Sequence, residues 1–168
     1  MMQSVNPHAQ DEQQVLQHFF ARGGSLRMLA DIQKEDIEQL YGYATHLFES
    51  GDIAAARNIY YMVSRIDQWH FDGWLALGLC NQRLGRHEEA VSCLARSGMI
   101  RVDDPRSAYF AAISHTLLGQ VECARKALQS AILWCKGRTE HQAMLRSAEQ
   151  MLRSAEQMLA ECAQEGQP

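Results

Sequence analysis

Three glycines set the frame for this chain. Gly51, Gly85 and Gly119 stand 34 residues apart. The same shift carries Ala44 to Gly78 and Ala112, Ala56 to Ala90 and Ala124, and Tyr60 to Leu94 and Leu128. Leu40, Trp74 and Ala108 fall in the same register. A fixed period of this length marks a stacked array, because one helical hairpin cannot bury its apolar face alone. Each column has a physical reading. The small residues of the Ala44 column let two helices approach closely. The Gly51 column ends the first helix of each hairpin in a left-handed conformation that costs glycine no steric strain. The Ala56 column keeps the second helix small where it meets the first, and the Tyr60 column fills the space between consecutive hairpins.

Between the glycines the spacing is helical. "IAAARNIYYMVSRI" and "ECARKALQSAILW" place apolar residues three and four apart, and no stretch alternates convincingly with period two. Proline occurs only at Pro7, Pro105 and Pro168, so the interior is nearly free of helix breakers. With 46% hydrophobic residues the chain is not simply disordered. The pattern predicts an all-α protein.

The repeat resembles the tetratricopeptide repeat, a helix-turn-helix unit of 34 residues. "WLALGLCNQRLGRHEEA", residues 74–90, is the best copy, with Trp74, Leu77-Gly78, Gly85 and Ala90 in place. The first copy runs from about Ile37 to Asp67 and lacks the leading Trp; "IDQWHFD" occupies the joint after it. The third runs from about Pro105 to Trp134, with Asp104 as N-cap and Pro105 at the first helical position. The closing proline of the usual repeat is missing. The resemblance implies three repeats in a right-handed superhelical array over residues 37–136, preceded by an N-terminal tail and short helices (1–36) and followed by a capping helix and tail (137–168).

The flanks are read separately. Residues 1–10 are expected to be disordered. "DEQQVLQHFFARGG" reads as a short amphipathic helix ended by Gly23-Gly24, and "SLRMLADI" opens a second with Ser25 as N-cap. Near the C-terminus, residues 144–150 and 151–157 are the same heptad, MLRSAEQ. Two heptads are too few to define a coiled coil, and a capping helix lengthened by one duplicated heptad is the favoured reading.

Composition narrows the function classes. The net charge is -4 and the basic residues are scattered, so no cluster would neutralise nucleic-acid phosphates. No apolar run reaches the roughly 18 residues of a membrane span. The polar N-terminus "MMQSVNPHAQDEQQ" does not read as a signal peptide, and a cytosolic location is expected. Cys80, Cys93, Cys123, Cys135 and Cys162 are odd in number and show no CxxC spacing. They read as buried apolar residues or free thiols, not as a disulfide framework or zinc site. "TEHQAML" around His141 is not HExxH, and Gly23-Gly24 is no phosphate loop. His87, Glu88 and Glu89 suit a helix start, and His115 reads as a packed polar residue. No catalytic residue, metal or cofactor is expected.

In tetratricopeptide arrays the first helix of each repeat lines a concave groove. The resemblance places Glu38, Tyr41, Thr45 and Phe48 there in the first copy, Asp72, Leu75, Leu79 and Gln82 in the second, and Arg106, Tyr109, Ile113 and Thr116 in the third. The central rows are aromatic or aliphatic where an open groove would be polar, which points to an apolar peptide site. Tyr41, Thr45, Phe48, Leu75, Leu79, Gln82, Tyr109 and Ile113 are the candidate groove residues. The carboxylate clamp of some co-chaperones is absent: Tyr41, Thr45 and Ala76 stand where its Lys and Asn residues would be, and Phe110 follows Arg106 on the third.

The layout as a whole resembles the class II chaperones of bacterial type III secretion, which serve translocator proteins. "FFARGGSLRMLADI", "LYGYA", the "DQW" joint and "DPRSAYFAAISHTLLGQ" carry the likeness over about residues 15–160; the duplicated heptad departs from it. The resemblance implies a cytoplasmic chaperone that holds an extended N-terminal segment of a hydrophobic translocator in the groove, keeping it soluble and export-ready. It also implies dimerisation of the cargo-free protein through about Val15 to Ile32, with Leu16, Phe19, Phe20, Leu26 and Leu29 as candidate contacts. Some members assist an AraC-type activator. A generic tetratricopeptide adaptor joining soluble proteins is the alternative.

Overall fold

Nine α-helices and one 3-10 turn make up residues 7–165, the part of the chain that the computed structural model describes. Helix α1 spans Pro7–Ala21 and α2 Leu26–Leu29. Three hairpins follow: α3 (Lys34–Glu49) with α4 (Ile53–Ile66), α5 (Phe71–Arg83) with α6 (His87–Ile100), and α7 (Pro105–Leu117) with α8 (Val121–Cys135). The turn Thr139–His141 leads into α9, Gln142–Glu165. Residues 7–10, expected to be disordered, belong to α1. Proline suits a helix start, where its missing N–H would find no intrahelical partner. The rest of that expectation, residues 1–6, lies outside the described residues.

The hairpins close as their glycines require. Gly51, Gly85 and Gly119 have φ of 91°, 71° and 70°. In each turn the amide after the glycine donates back across the helix end: Asp52 to the Leu47 carbonyl, Arg86 to Asn81 and Gln120 to His115. Carbonyls that the helix end would orphan are thereby satisfied. Asp52 and Asp104 cap α4 and α7 by accepting from the Ala55 and Arg106 amides.

Packing follows the columns. Ala44, Ala112, Ala56, Ala90 and Ala124 are buried between helices, and Tyr60, Leu94 and Leu128 fill the gaps. Gly78 is glycine for a steric reason: a Cβ there would lie 2.7 Å from the Leu94 side chain. Successive helices from α3 to α9 pack on one another in chain order. Along α9, Ala148 and Ala155 occupy equivalent places in the duplicated heptad and are both buried. Ala148 joins Ala112 and Leu128, with Met151 and Leu152 against them. The helix covers the open end of the last hairpin.

Among the described residues, helix α1 makes few contacts with the other helices. Its exit is fastened to the joint after the first hairpin. Trp69 Nε1 donates to the Gly23 carbonyl at 2.7 Å and Gln68 Nε2 to the Gly24 carbonyl at 2.8 Å. Arg27 pairs with Asp67 at 3.2 Å. Ser25 has the extended backbone of an N-cap but makes no capping bond. Its hydroxyl is buried without a partner among the described residues, so the predicted cap holds by position only.

Candidate functional site: an apolar pocket on the first helices

Helices α3, α5 and α7 are the first helices of the three hairpins, and the candidate residues lie along them. Four of them converge. Phe48, Leu79, Gln82 and Ile113 line one open pocket of about 450 Å³, together with Arg83, His87, Phe110 and Leu117. Gln82 ties the pocket floor: its Nε2 donates to the Phe110 carbonyl and to Ser114 Oγ, both at 2.7 Å. The Arg83 guanidinium lies 5.0 Å from the centre of the Phe48 ring, a cation–π distance. Leu117 is exposed at the pocket edge. Ligand pockets have this composition, an apolar lining with a few fixed polar groups.

Tyr41 and Thr45 stand apart from that pocket. Tyr41 is half-buried against Tyr60 and His70, with ring centroids 5.2 and 5.3 Å away. It lines a polar recess with Lys34, Glu38, Asp72 and Arg101. Burial, reinforced by Tyr60 and Asp72, pushes its phenol up to about 12. Thr45 shares a 2.9 Å hydrogen bond with the Tyr60 hydroxyl.

Two further candidates pack elsewhere. Leu75 is 5% exposed and packs with Phe71, Ala90 and Leu94. Helix α5 is the middle first helix, with hairpins on both sides, so this position is covered where an open groove was expected. Tyr109 stacks edge-on against Phe110 and bonds the Ser147 hydroxyl of α9 at 2.9 Å. The capping helix takes this position because no fourth hairpin follows. Neither residue lines the pocket.

Arg83, His87, Phe110 and Leu117 were not among the candidates. Phe110, Ile113 and Leu117 form a stripe at three- and four-residue spacing, a signal the sequence carried. His87 belongs to a second helix, α6, and no first-helix rule could reach it. Arg106 is neutralised by Asp104 at 2.7 Å and Asp72 at 3.4 Å.

The proposed dimer contacts lie on and after α1. Leu16, Phe20, Leu26 and Leu29 are exposed. Phe19 is half-buried and occupies the space that a Cβ on Gly24 would need. Its ring packs edge-on against Phe20 at 5.4 Å.

The described residues contain no group of three or more His, Cys, Asp or Glu able to hold a metal. No helix among them is long and apolar enough to cross a membrane. Burial raises the Cys80 thiol to about 11 and pushes Cys93 and Cys135 in the same direction. These three remain protonated and weakly nucleophilic at neutral pH. Cys123 and Cys162 are exposed free thiols.

No family model matches the chain. Low calcium response locus protein H of Yersinia pestis is 25% identical over 143 residues, spanning 85% of either chain. A chain of a T3SS complex from Aeromonas hydrophila is 27% identical, with a TM-score of 0.84 over 87% of this chain and 97% of that one. PcrH of Pseudomonas aeruginosa, solved in complex with the chaperone binding region of PopD, is 25% identical, with a TM-score of 0.74 over 76% of this chain and 96% of that one. Repeat pattern, all-helical array and these likenesses agree, and the chain is similar throughout the array to the translocator chaperones of type III secretion.

Proposed function

We propose that this chain binds an extended apolar segment of a type III translocator in the pocket formed by Phe48, Leu79, Gln82, Phe110 and Ile113, keeping the translocator soluble and secretion-competent. The observation that carries this reading is the convergence of three apolar first helices on one open pocket. A membrane-seeking protein aggregates through its apolar segments. A preformed groove shields such a segment by burying apolar area, at about 25 cal/mol per Å². The complex of PcrH with a chaperone binding region supports the same use here.

Binding of this kind needs no bond-making, so the chain acts as a chaperone and not as an enzyme, in the bacterial cytoplasm before export. Residues 37–136 supply the groove, 137–168 the cap and 1–36 the arm. The exposed Leu16, Phe20, Leu26 and Leu29 support a homodimer of the cargo-free protein. An AraC-type activator is a further partner on this reading.

The test is co-expression of a hydrophobic translocator with this chain, scored by soluble yield and co-purification. Leu79→Ser with Ile113→Ser is the informative double variant, since Leu75 is core. It should lose the cargo while keeping its melting temperature. Unchanged co-purification would remove the pocket from the mechanism. Cargo that is soluble without this chain would favour an adaptor joining folded proteins.

A further inference from the structure

The pocket carries a charge that its apolar lining does not need. Arg83 stands at its edge, more than a third exposed, with its guanidinium over the Phe48 ring. The other arginine on a first helix, Arg106, is neutralised by Asp104 and Asp72, and Arg101, just after α6, pairs with Asp72. None of the ion pairs among the described residues involves Arg83. Glu49, Glu88 and Glu89, close to the pocket residues in sequence, make no ion pair with it. His87 also lines the pocket, its Nδ1 3.5 Å from Ser114 Oγ. Gln82 is already committed to Phe110 and Ser114. An apolar pocket edged by one available guanidinium therefore sits on a chain whose net charge is -4.

We propose that Arg83 is a specificity-determining residue of this pocket: it selects extended segments that carry an aspartate or glutamate within one or two residues of the apolar side chain seated on Phe48, Leu79 and Ile113. This rests on the groove reading and adds the charge of the ligand to it. The ring holds the guanidinium by its face, which leaves the N–H edges free to meet a carboxylate. A charge-assisted contact at the rim of an apolar seat sets the register of the bound segment, because only one spacing satisfies both groups. A lysine beside the apolar anchor meets like charge and is rejected.

The experiment uses random peptides displayed on phage, selected on the wild-type protein and on Arg83→Gln in parallel, then sequenced. Wild-type protein should enrich an apolar residue with a neighbouring acid. Arg83→Gln should keep the apolar preference and lose the acidic one. The best acidic peptide, measured by fluorescence anisotropy, should bind Arg83→Gln roughly fivefold more weakly, the scale of a solvent-accessible ion pair. Arg83→Lys should recover most of the affinity, and added salt should weaken binding to the wild type and Arg83→Lys but not to Arg83→Gln. Melting temperatures of both variants confirm that each is folded. Equal acidic enrichment in the variant, or none in the wild type, overturns the role of Arg83 while leaving the groove intact. Peptides whose binding survives Leu79→Ser, or selections without apolar preference, overturn the groove itself and the proposal with it.

Discussion

Arg57 Nε donates a 2.6 Å hydrogen bond to the side-chain oxygen of Asn81, from the second helix of one hairpin to the first helix of the next. Asn81 is 1% exposed, and its Nδ2 reaches Cys93 Sγ at 3.6 Å. The pair ties the first two repeats at a point with little water. Asn81→Ala leaves the guanidinium without that partner and should lower stability by about 2–3 kcal/mol. Removing both groups, as in Arg57→Met with Asn81→Leu, should cost less than the single change. Urea unfolding of the three variants measures the difference, and a harmless Asn81→Ala would show that the bond contributes little.

Leu75 and Leu79 are one helical turn apart on α5 and should respond oppositely. Leu75→Ala empties a place in the core formed with Phe71, Ala90 and Leu94 and should cost about 2–4 kcal/mol. Leu79→Ala touches a pocket wall and should cost under about 1 kcal/mol while weakening cargo binding. Thermal melts read beside cargo pulldowns separate the two effects.

Tyr41 gives the fold an alkaline limit. Its phenol is raised from the usual 10.0 to about 12, chiefly by burial, and Tyr60 shifts in the same direction. Below pH 10.0 folded and unfolded chains both hold the Tyr41 proton, so its contribution to stability is complete. Between there and about 12 the unfolded chain releases a proton that the folded chain keeps, and stability falls as pH rises. Tyr41→Phe should flatten part of this decline in denaturation curves taken across that range. Phenolate absorbance should show one late-titrating group lost in the variant.

The duplicated heptad should be removable. Deleting 151–157 or 144–150 yields the same chain, one that keeps Ala148 and Ser147 and brings Cys162 to the place of Ala155. A small residue again meets α8. Helix α9 shortens by roughly 10 Å, and circular dichroism should show less helix with a cooperative melt only a few degrees lower. Aggregation or loss of the melt would mean that the second heptad is required to close the array.

The 34-residue period determined the hairpins, the glycine turns and the small-residue columns, because these depend on local backbone conformation and on equal units stacking. Asp104 and Pro105 likewise announced α7 without help from the rest of the chain. Periodicity states the angle of a side chain about its helix axis; it does not state what stands opposite. Leu75 and Leu79 share the same local pattern, yet neighbouring hairpins cover one and leave the other in the pocket. Tyr109 has the groove position of Tyr41, and its hydroxyl went to Ser147 because α9 closes that end. Phe110 and Leu117 were readable as a stripe with Ile113. Arg83 and His87 were not, since the pocket joins them to it from the end of one helix and the start of the next. Local pattern set the elements, and only their mutual covering decided which apolar faces remained open.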